Sequence, residues 1–375
     1  MKRLQLSCRP SNDFGSLESD MQVMVAMSGG VDSSVAAAML RDEGHDVVGV
    51  TLKLWGGESD SGCCSVSDVD DARRVAQQLD IDHLVFNFAE DFDANVVDPY
   101  VADHAKGITP NPCIECNRHL KFDRLMSRAD ALGFDVVATG HHAQVVVGGN
   151  GRPRLTRGAD LAKDQSYVLH MLTSSQLDRV MFPIGGMTKD EVRERASSLG
   201  LRTAGKPDSQ DVCFISHIGG GRRVFLGDRI SMHPARLIDE NGEQLGSVDA
   251  VELVTIGQRR GLGIGIDGRP RYAIDVDVPN RTVLVGAAED LDMPGELLRS
   301  FTWVDDEARL DALSSATLIA QLSAHGDPVE VSSITETDDG LDIAWSTPHR
   351  RVAPGQSIVL YENDLVMGGG IASRR

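Results

Sequence analysis

Residues 28–34, Ser-Gly-Gly-Val-Asp-Ser-Ser, have the types and spacing of a loop that holds phosphate. The two glycines let the backbone turn sharply, because no Cβ restricts it. A predicted strand at 21–27 and a predicted helix at 33–43 flank the loop, so backbone N–H groups and a positive helix end would face one concavity. Asp32 would repel phosphate unless a cation lay between them, which predicts Mg²⁺ bound with a nucleotide.

The alternative is an ordinary glycine turn in which Ser33 caps the helix. Phosphate binding is favoured because a strand, two glycines, an acid and a serine pair coincide. No Gly-Lys-Ser/Thr follows, so this is not the Walker pattern. The segment instead resembles the signature of the pyrophosphatase-loop (PP-loop) ATPases. That resemblance implies cleavage of ATP between its α and β phosphates and adenylation of an oxygen on the substrate.

A second candidate site is the thiol pair in residues 109–117, Thr-Pro-Asn-Pro-Cys-Ile-Glu-Cys-Asn. The two prolines exclude a helix through the first part of this segment, so we predict a helix that begins near Asn117. Cys116 would then lie at a helix N-terminus, where the dipole lowers the pKa of a thiol. Cys113 would lie close to it in space.

Two other interpretations of these thiols stay open. Cys-x-x-Cys is a zinc half-site, and Cys63 and Cys64 could complete four ligands, although adjacent cysteines chelate one metal poorly. A thioredoxin-like redox pair lacks its usual sequence context.

A third thiol, Cys213, stands between Val and Phe, which is typical of a buried small residue. The polar segment 205–210 before it instead predicts a loop that could carry Cys213 into a site.

The elements that must position these residues alternate through the first half of the chain. Alternation of buried strands with helices predicts an α/β fold with a doubly wound parallel sheet. Ligands of such sheets bind beyond the carboxyl ends of the strands, where residues 28–34, Leu52 and 139–142 would meet. The predicted strands are 21–27, 47–52, 84–88 and 136–139, and the predicted helices are 33–43, 68–79, 92–105 and 118–132.

From about Gly219 onward, short β-like runs are separated by turn signals, including Asn-Gly at the centre of a predicted hairpin turn at 239–242. We predict two small antiparallel β domains, as barrels. The predicted domains are a disordered N-terminal tail at 1–20, with Met21 as a possible true start, a catalytic domain at 21–217, a central β domain at 218–290 and a C-terminal β-barrel at 291–375.

Composition limits the class of protein. Six cysteines in 375 residues do not make a disulfide scaffold and fit a cytoplasmic protein. We expect no membrane span and no secretory signal, because no apolar run approaches about 20 residues and residues 1–20 lack an apolar core. A net charge of −19 opposes indiscriminate nucleic-acid binding. A local basic surface could still form from Arg222, Arg223, Arg259, Arg260, Arg269 and Arg271.

Taken together, these features resemble the bacterial tRNA-specific 2-thiouridylase family over essentially everything after residue 20. The resemblance rests on motifs at 26–33, 109–117, 138–141, 163–167, 208–215, 257–263 and 354–356. In two places the chain departs from some members. Some have an aspartate where Cys113 stands, and some present Arg-Tyr to tRNA where this chain has the stretch from Leu322 to His325.

The resemblance implies a role for individual residues. Cys116 matches the catalytic nucleophile and Cys213 the cysteine that carries a persulfide. Residues matching the ATP site are Ala26, Met27, Ser28, Gly29, Gly30, Val31, Asp32, Ser33, Leu52 and Gly140. Residues matching tRNA contacts are Asn111, Pro112 and Cys113, which would face the target base, with Lys163, Asp164, Gln165, His141 and Gln356.

The family's members put sulfur on C2 of the wobble uridine of tRNA. The implied cofactors are ATP with Mg²⁺ and a persulfide sulfur, with no resident metal. The implied partners are tRNA with a modifiable wobble uridine and a sulfur-donor protein, a persulfide relay or a cysteine desulfurase. The target base would have to leave its stack. Turnover would end in a Cys116–Cys213 disulfide that a reductant reopens.

Two competing hypotheses belong to other classes. A small-molecule ligase similar to argininosuccinate or GMP synthetase would explain residues 28–34 but not the separated thiols or the two β domains. A zinc-stabilised nucleic-acid-binding protein would use Cys63, Cys64, Cys113 and Cys116 as ligands.

Overall fold

The computed structural model describes residues 21–54, 66–149, 151–208, 212–216, 220–265 and 268–374. The predictions for the tail at 1–20 and for Cys63 and Cys64 lie outside these residues. The chain divides into two compact units. The first comprises the described residues up to Glu90 with 117–213 and 364–366, and the second comprises 91–116, 214–363 and 367–374. Within the described residues, no helix is both long and apolar enough to cross a bilayer.

The first unit is built on a parallel sheet with strand order β3-β2-β1-β4-β7. The chain order reverses between β1 and β4, and such a switch point opens a crevice at the carboxyl ends of the strands. Strands β5 and β6 form an antiparallel hairpin outside this parallel sheet, and Thr156 of β6 pairs with Leu365. The strands are β1 (Gln22–Ala26), β2 (Asp46–Lys53), β3 (Asp82–Asn87), β4 (Val136–Thr139), β5 (Ala143–Val147), β6 (Pro153–Arg157) and β7 (Val180–Met181).

The helices follow in chain order. They are α1 (Val31–Asp42), α2 (Val66–Leu79), α3 (Ala89–Phe92), α4 (Asp98–His104), α5 (Pro112–Glu115), α6 (Leu125–Leu132), α7 (Ser174–Leu177), α8 (Lys189–Ser198), α9 (Cys213–Ser216), α10 (Gly221–Gly227) and α11 (Asp306–Ser314). The described residues also contain two π-helical segments, Asp93–Val97 and Cys116–Arg124, and three 3₁₀ turns, Ser166–Leu169, Val251–Leu253 and Glu289–Leu291.

Burial explains why α1 and β1 lie together. The central residues of β1 are fully buried, as expected for a strand covered on both faces. Helix α1 presents a run of small residues to it, so Val25, Val35 and Ala36 share one apolar core. This packing holds the loop between β1 and α1 over the sheet edge.

The second unit contains a four-stranded sheet and a closed barrel. The sheet has strand order β10-β11-β8-β9, and the barrel has order β12-β15-β14-β13-β16-β17, closed by pairing of β12 with β17. The strands are β8 (Ala235–Ile238), β9 (Gln244–Val248), β10 (Tyr272–Asp277), β11 (Thr282–Gly286), β12 (Asp292–Trp303), β13 (Leu318–Gln321), β14 (Val329–Thr337), β15 (Gly340–Arg350), β16 (Ser357–Glu362) and β17 (Leu365–Ser373).

The predicted fold class is confirmed: a parallel α/β sheet is followed by β-rich structure that ends in a barrel. The turn at 239–242 is also confirmed, with Gly242 at φ +82°. The central sheet differs in one respect, because β8 and β11 pair in parallel. Parallel neighbours need a long connection. Here the chain from β8 to β11 passes through β9, the segment between β9 and β10, and β10. Strand β12 runs through Met293, Pro294 and Gly295, where its pairing register shifts at a bulge.

Candidate functional site

Residues 28–34, which we call the phosphate loop, connect β1 to α1 at the switch point of the sheet. Gly29 adopts φ +74°, and Gly30 is the N-cap of α1. The helix therefore begins at Val31, two residues earlier than predicted, and Ser33 is not its cap. The Oγ of Ser33 instead accepts a hydrogen bond from the N–H of Ser28 at 3.2 Å. Gly30 makes no side-chain capping bond, and the first N–H groups of a helix have no acceptor within it, so the start of α1 offers donors to an anion.

Glycine at two positions permits close approach of neighbouring backbone. A Cβ on Gly29 would lie 2.3 Å from the carbonyl oxygen of Asp68, at the start of α2. A Cβ on Gly140, directly after β4, would lie 2.5 Å from the backbone nitrogen of Ser33. The predicted meeting of the phosphate loop with residues 139–142 is therefore present in the structure.

The remaining residues matched to the ATP site lie on or next to β1, β2 and α1. Ala26 is the last residue of β1, and the N–H of Met27, the next residue, donates to the carbonyl oxygen of Val50 at 2.8 Å. Leu52 lies at the end of β2 and is buried. Val31 is buried in the first turn of α1.

Asp32 is paired with a cation of the chain itself. The Nζ of Lys189 lies 2.7 and 2.8 Å from the two Asp32 carboxylate oxygens, and the Nε2 of His142 lies 3.4 Å from one of them. Burial alone would raise the pKa of Asp32, but its contacts with His142 and Lys189 outweigh burial and hold that pKa below its usual range. Mg²⁺ at Asp32 stays a prediction, and Lys189 places a cation of the chain itself at this carboxylate.

Lys189 also contacts a second carboxylate, Asp208, at 2.9 Å. Asp208 is contacted further by Lys163 Nζ and Arg193 Nη2, each at 2.7 Å. Burial opposes ionisation of Asp208, but hydrogen bonds from Lys163 and Lys189 hold its pKa far below its usual range. The segment that leads toward Cys213 is therefore tied to the phosphate loop through one buried ammonium group.

Lys206 makes a second tie to the same loop. Its Nζ donates to the carbonyl oxygen of Gly29 at 3.0 Å and contacts Asp68 and Asp71 at 2.6 and 2.9 Å. The polar segment before Cys213, predicted as a flexible loop, is thus held by ion pairs at residues 206–208. Residues 209–211 lie outside the description.

The segment matched to tRNA contacts at 163–165 is bound within the first unit. The Asp164 carboxylate is buried and accepts hydrogen bonds from the N–H groups of Gly158 and Ser166 at 2.9 and 3.0 Å. Gln165 Oε1 accepts from the N–H of His142 at 2.9 Å. These two side chains fix the turn beside Gly140, whereas Lys163 remains partly exposed at Asp208.

His141 carries a buried ring. Its Nδ1 lies 2.6 Å from Thr139 Oγ1, and its ring packs near Phe122 and Phe182. Burial, with the nearby Lys121 ammonium, holds the pKa of His141 well below its usual range, so the ring is neutral. A contact between this ring and tRNA would require the ring to leave the interior.

Helix α5 (Pro112–Glu115), which carries Cys113 and which we call the thiol helix, begins earlier than predicted. The helix begins at Pro112, with Asn111 as its cap, and not near Asn117. Proline is tolerated in the first helical position because the N–H that it lacks would have no helical acceptor there. The Oδ1 of Asn111 accepts from the N–H of Cys113 at 3.1 Å. Cys113 therefore occupies the first turn, and Cys116 lies one turn later, where the π-helical segment begins.

Cys213 is partly buried and begins the short helix α9. The residue before it, Val212, has φ +50°, an uncommon conformation for a β-branched residue. The next residue, Phe214, is buried against the rings of Tyr100 and Phe225, at 5.6 and 5.1 Å between ring centroids. Burial raises the pKa of Tyr100 to about 12, and the nearby Cys113 adds to that rise.

Gln356 contacts the chain just before the thiol helix. Its Nε2 donates to the carbonyl oxygen of Thr109 at 2.6 Å. Sequence reasoning matched Gln356 to a tRNA contact and did not anticipate this hydrogen bond. Sequence reasoning also gave no role to Lys189 or Lys206, and it placed Asp208 only within the motif at 208–215.

The three described cysteines, Cys113, Cys116 and Cys213, are thiols in this structure. Within the described ranges, no group of three or more His, Cys, Asp or Glu side chains could hold a metal ion. The zinc alternative depends on Cys63 and Cys64, which lie outside those ranges, so the structure does not test it.

Family models match three consecutive parts of the chain. Residues 21–217 match a tRNA methyl transferase HUP domain, residues 223–287 a tRNA methyl transferase PRC-barrel domain, and residues 296–372 an aminomethyltransferase β-barrel domain.

Curated relatives match almost the whole chain. A protein of Herpetosiphon aurantiacus named tRNA-specific 2-thiouridylase MnmA is 44% identical over 356 residues, which cover 93% of this chain and 97% of the relative. A protein of the same name from Mycolicibacterium smegmatis is 46% identical over 371 residues, covering 95% of this chain and 100% of the relative. Another, from Chloroflexus aurantiacus, is 42% identical over 356 residues, covering 94% of this chain and 98% of the relative.

Proposed function

Because the chain belongs to the tRNA-specific 2-thiouridylase family, we propose that it thiolates C2 of the wobble uridine in tRNA at the expense of ATP. The observation that carries this proposal is the phosphate loop at the sheet's switch point, in a chain 42–46% identical to named 2-thiouridylases. A small-molecule ligase would share that loop, but it would have no use for three partly buried thiols outside it.

The first step is adenylation of the uridine C2 oxygen. That oxygen attacks the α phosphorus of ATP and pyrophosphate leaves, so that AMP becomes the later leaving group. The N–H groups at the start of α1 and the Ser28 hydroxyl would bind the phosphates. Gly140 lets the backbone after β4 lie close to Ser33, beside the proposed nucleotide site.

Mg²⁺ fits this site through Asp32. That carboxylate is partly exposed and already accepts an ammonium group, so it favours positive charge. When bound with ATP, Mg²⁺ supplies charge that stabilises the departing pyrophosphate. Lys189 would share Asp32 with the ion or turn toward the phosphates.

The second step transfers sulfur. Cys213 would carry the outer sulfur as a persulfide, and two routes balance. In one, the persulfide attacks C2 and expels AMP, after which the Cys116 thiolate attacks the Cys213 sulfur and leaves the thiocarbonyl on the base. In the other, Cys116 attacks first and releases hydrosulfide, which then displaces AMP. Both routes end in a Cys116–Cys213 disulfide that an external dithiol must reduce.

We propose that Asn111, Pro112 and Cys113 face the flipped base and that Lys163 reaches the RNA after leaving Asp208. Asp164, Gln165 and His141 would act mainly by shaping the turn beside the nucleotide, because their side chains are engaged inside the first unit. The match of Gln356 to a tRNA contact stays a prediction, because its amide nitrogen donates to the carbonyl oxygen of Thr109.

The domain assignment accompanies this function as a proposal. A catalytic domain at 21–217, a central β domain at 218–290 and a C-terminal barrel at 291–375 agree with the positions of the three family matches. We also propose that the tail at 1–20 is dispensable and that the protein is cytoplasmic. The sulfur would come from another protein, either a persulfide relay or a cysteine desulfurase.

The test is mass spectrometry of tRNA nucleosides after incubation with the protein, ATP and a cysteine desulfurase with cysteine. The proposal predicts a uridine that gains the mass difference between sulfur and oxygen, only when ATP is present. Pyrophosphate release that does not depend on tRNA would favour the small-molecule ligase. Stoichiometric zinc in the purified protein would favour the zinc-stabilised alternative.

A further inference from the structure

The chain entering the thiol helix is held by hydrogen bonds from both β parts of the second unit. Thr109 uses all three of its polar groups. Its N–H donates to the carbonyl oxygen of Pro354 at 2.9 Å, and its own carbonyl oxygen accepts from Gln356 Nε2 at 2.6 Å. Its hydroxyl donates to Thr255 Oγ1 at 3.2 Å.

Two glycines allow close packing around this segment. A Cβ on Gly355, which has φ +95°, would lie 2.6 Å from Ile108 Cγ2 and 2.9 Å from the carbonyl carbon of Thr109. A Cβ on Gly107, at φ +72°, would lie 3.0 Å from a methyl of Val278. Residues 107–109 are therefore enclosed on two sides by segments far away in sequence.

Thr109 is two residues from the helix cap Asn111, and prolines stand at 110 and 112. Proline fixes φ, so this connection has little freedom to absorb a shift at Thr109. A displacement of Thr109 would reach the cap and then the first turn, which carries Cys113 and is followed by Cys116.

We propose that Gln356 and Thr255 are positioning residues that orient the thiol helix by holding Thr109. The proposal rests on the proposed function for its consequence in catalysis. It assigns to Gln356 a role through the protein backbone, because the amide nitrogen that could read RNA already donates to Thr109.

The test compares three variants with the wild type. Gln356→Met keeps the side-chain length and removes the amide, and Thr255→Val removes the hydroxyl. Gln78→Met is the matched control, since Gln78 Nε2 likewise donates to backbone carbonyls, at Leu199 and Gly200 in the first unit. Thermal melting establishes that each variant is folded.

The first measurement is the alkylation rate of Cys113 and Cys116 by iodoacetamide, followed on the tryptic peptides without tRNA or ATP. We expect at least threefold faster alkylation in Gln356→Met and Thr255→Val, because the loosened segment exposes the partly buried thiols, and no change in Gln78→Met. Unchanged rates in both test variants would overturn the proposal.

The second measurement separates positioning from RNA recognition. We expect single-turnover thiolation to fall about tenfold, the effect of one hydrogen bond on a rate, with tRNA affinity within twofold of wild type. Weakened tRNA affinity with unchanged alkylation would make Gln356 an RNA contact and refute the positioning role. Absence of thiolation in the wild type would refute only the proposed function, because alkylation needs no substrate.

Discussion

Replacing Lys189 by methionine should destabilise the first unit. The variant keeps most of the side-chain volume but removes the ammonium group that lies 2.7 Å from Asp32 and 2.9 Å from Asp208. Breaking a fully buried ion pair costs about 3–5 kcal/mol, whereas an exposed pair contributes about 0–1 kcal/mol. The two carboxylates are 30% and 34% exposed, and each keeps another partner, so we expect a loss of about 1–3 kcal/mol.

The pH dependence of this loss has a definite sign. The pKa values of Asp32 and Asp208 are both lowered in the folded protein. Their contribution to stability is therefore complete above the ordinary value of 3.8 and declines as pH falls below it. The difference between wild type and Lys189→Met should be constant from neutral pH to about pH 5 and should narrow near pH 3.

Urea unfolding followed by far-ultraviolet circular dichroism measures this difference, because most of the helix lies in the first unit. Lys53→Met, which removes an exposed lysine from the end of β2, is the control and should unfold like the wild type. The reasoning is refuted if Lys189→Met unfolds at the wild-type urea concentration at neutral pH, or if its deficit is as large at about pH 3 as at pH 7.

Three further predictions concern the reaction. Asp32→Asn should abolish tRNA-dependent pyrophosphate release while tRNA binding stays nearly intact, because the loop loses the charge that holds a cation; release at the wild-type rate would contradict this. Cys213→Ser should lose thiolation and sulfur loading but keep adenylation, whereas Cys116→Ser should lose thiolation yet still show one added sulfur on Cys213 by intact-protein mass. Gly140→Ala should weaken ATP binding at least tenfold and cost about 1–3 kcal/mol through overpacking against the phosphate loop, and Gly149→Ala, which meets no atom within 4 Å, should do neither.

Sequence patterns predicted those elements whose structure depends mainly on residues close together in the chain. The apolar run of β1 and the glycine pair predicted the phosphate loop, and β4 matches its predicted bounds because a short buried strand bordered by polar residues admits few alternatives. The predicted start of the thiol helix, near Asn117, was wrong because proline was treated only as a helix breaker. Pro112 occupies the one helical position that suits it.

Long-range polar pairing could not be predicted in this way. Lys189 lies 157 residues from Asp32, and no periodicity links a helix start to a glycine turn. The same holds for Gln356 and Thr109, which are 247 residues apart. The parallel pairing of β8 with β11 depends on a crossover connection whose path has no local signal. Roles assigned by resemblance to Asp164 and His141 gave no indication that their side chains are buried.

The first turn of α8 contains a conflict between local and global preferences. Thr188 and Glu191 form a capping box, and Asp160 accepts a hydrogen bond from the N–H of Lys189. The positive end of the helix dipole is therefore already paired with two carboxylates, which it favours. Lys189 nevertheless places a cation at that positive end. Conflicts of this kind are typical of sites that natural selection has kept for purposes other than stability. Here the chain tolerates an unfavourably placed ammonium group because two acids hold it, and an incoming polyphosphate would supply the anion that this helix end favours.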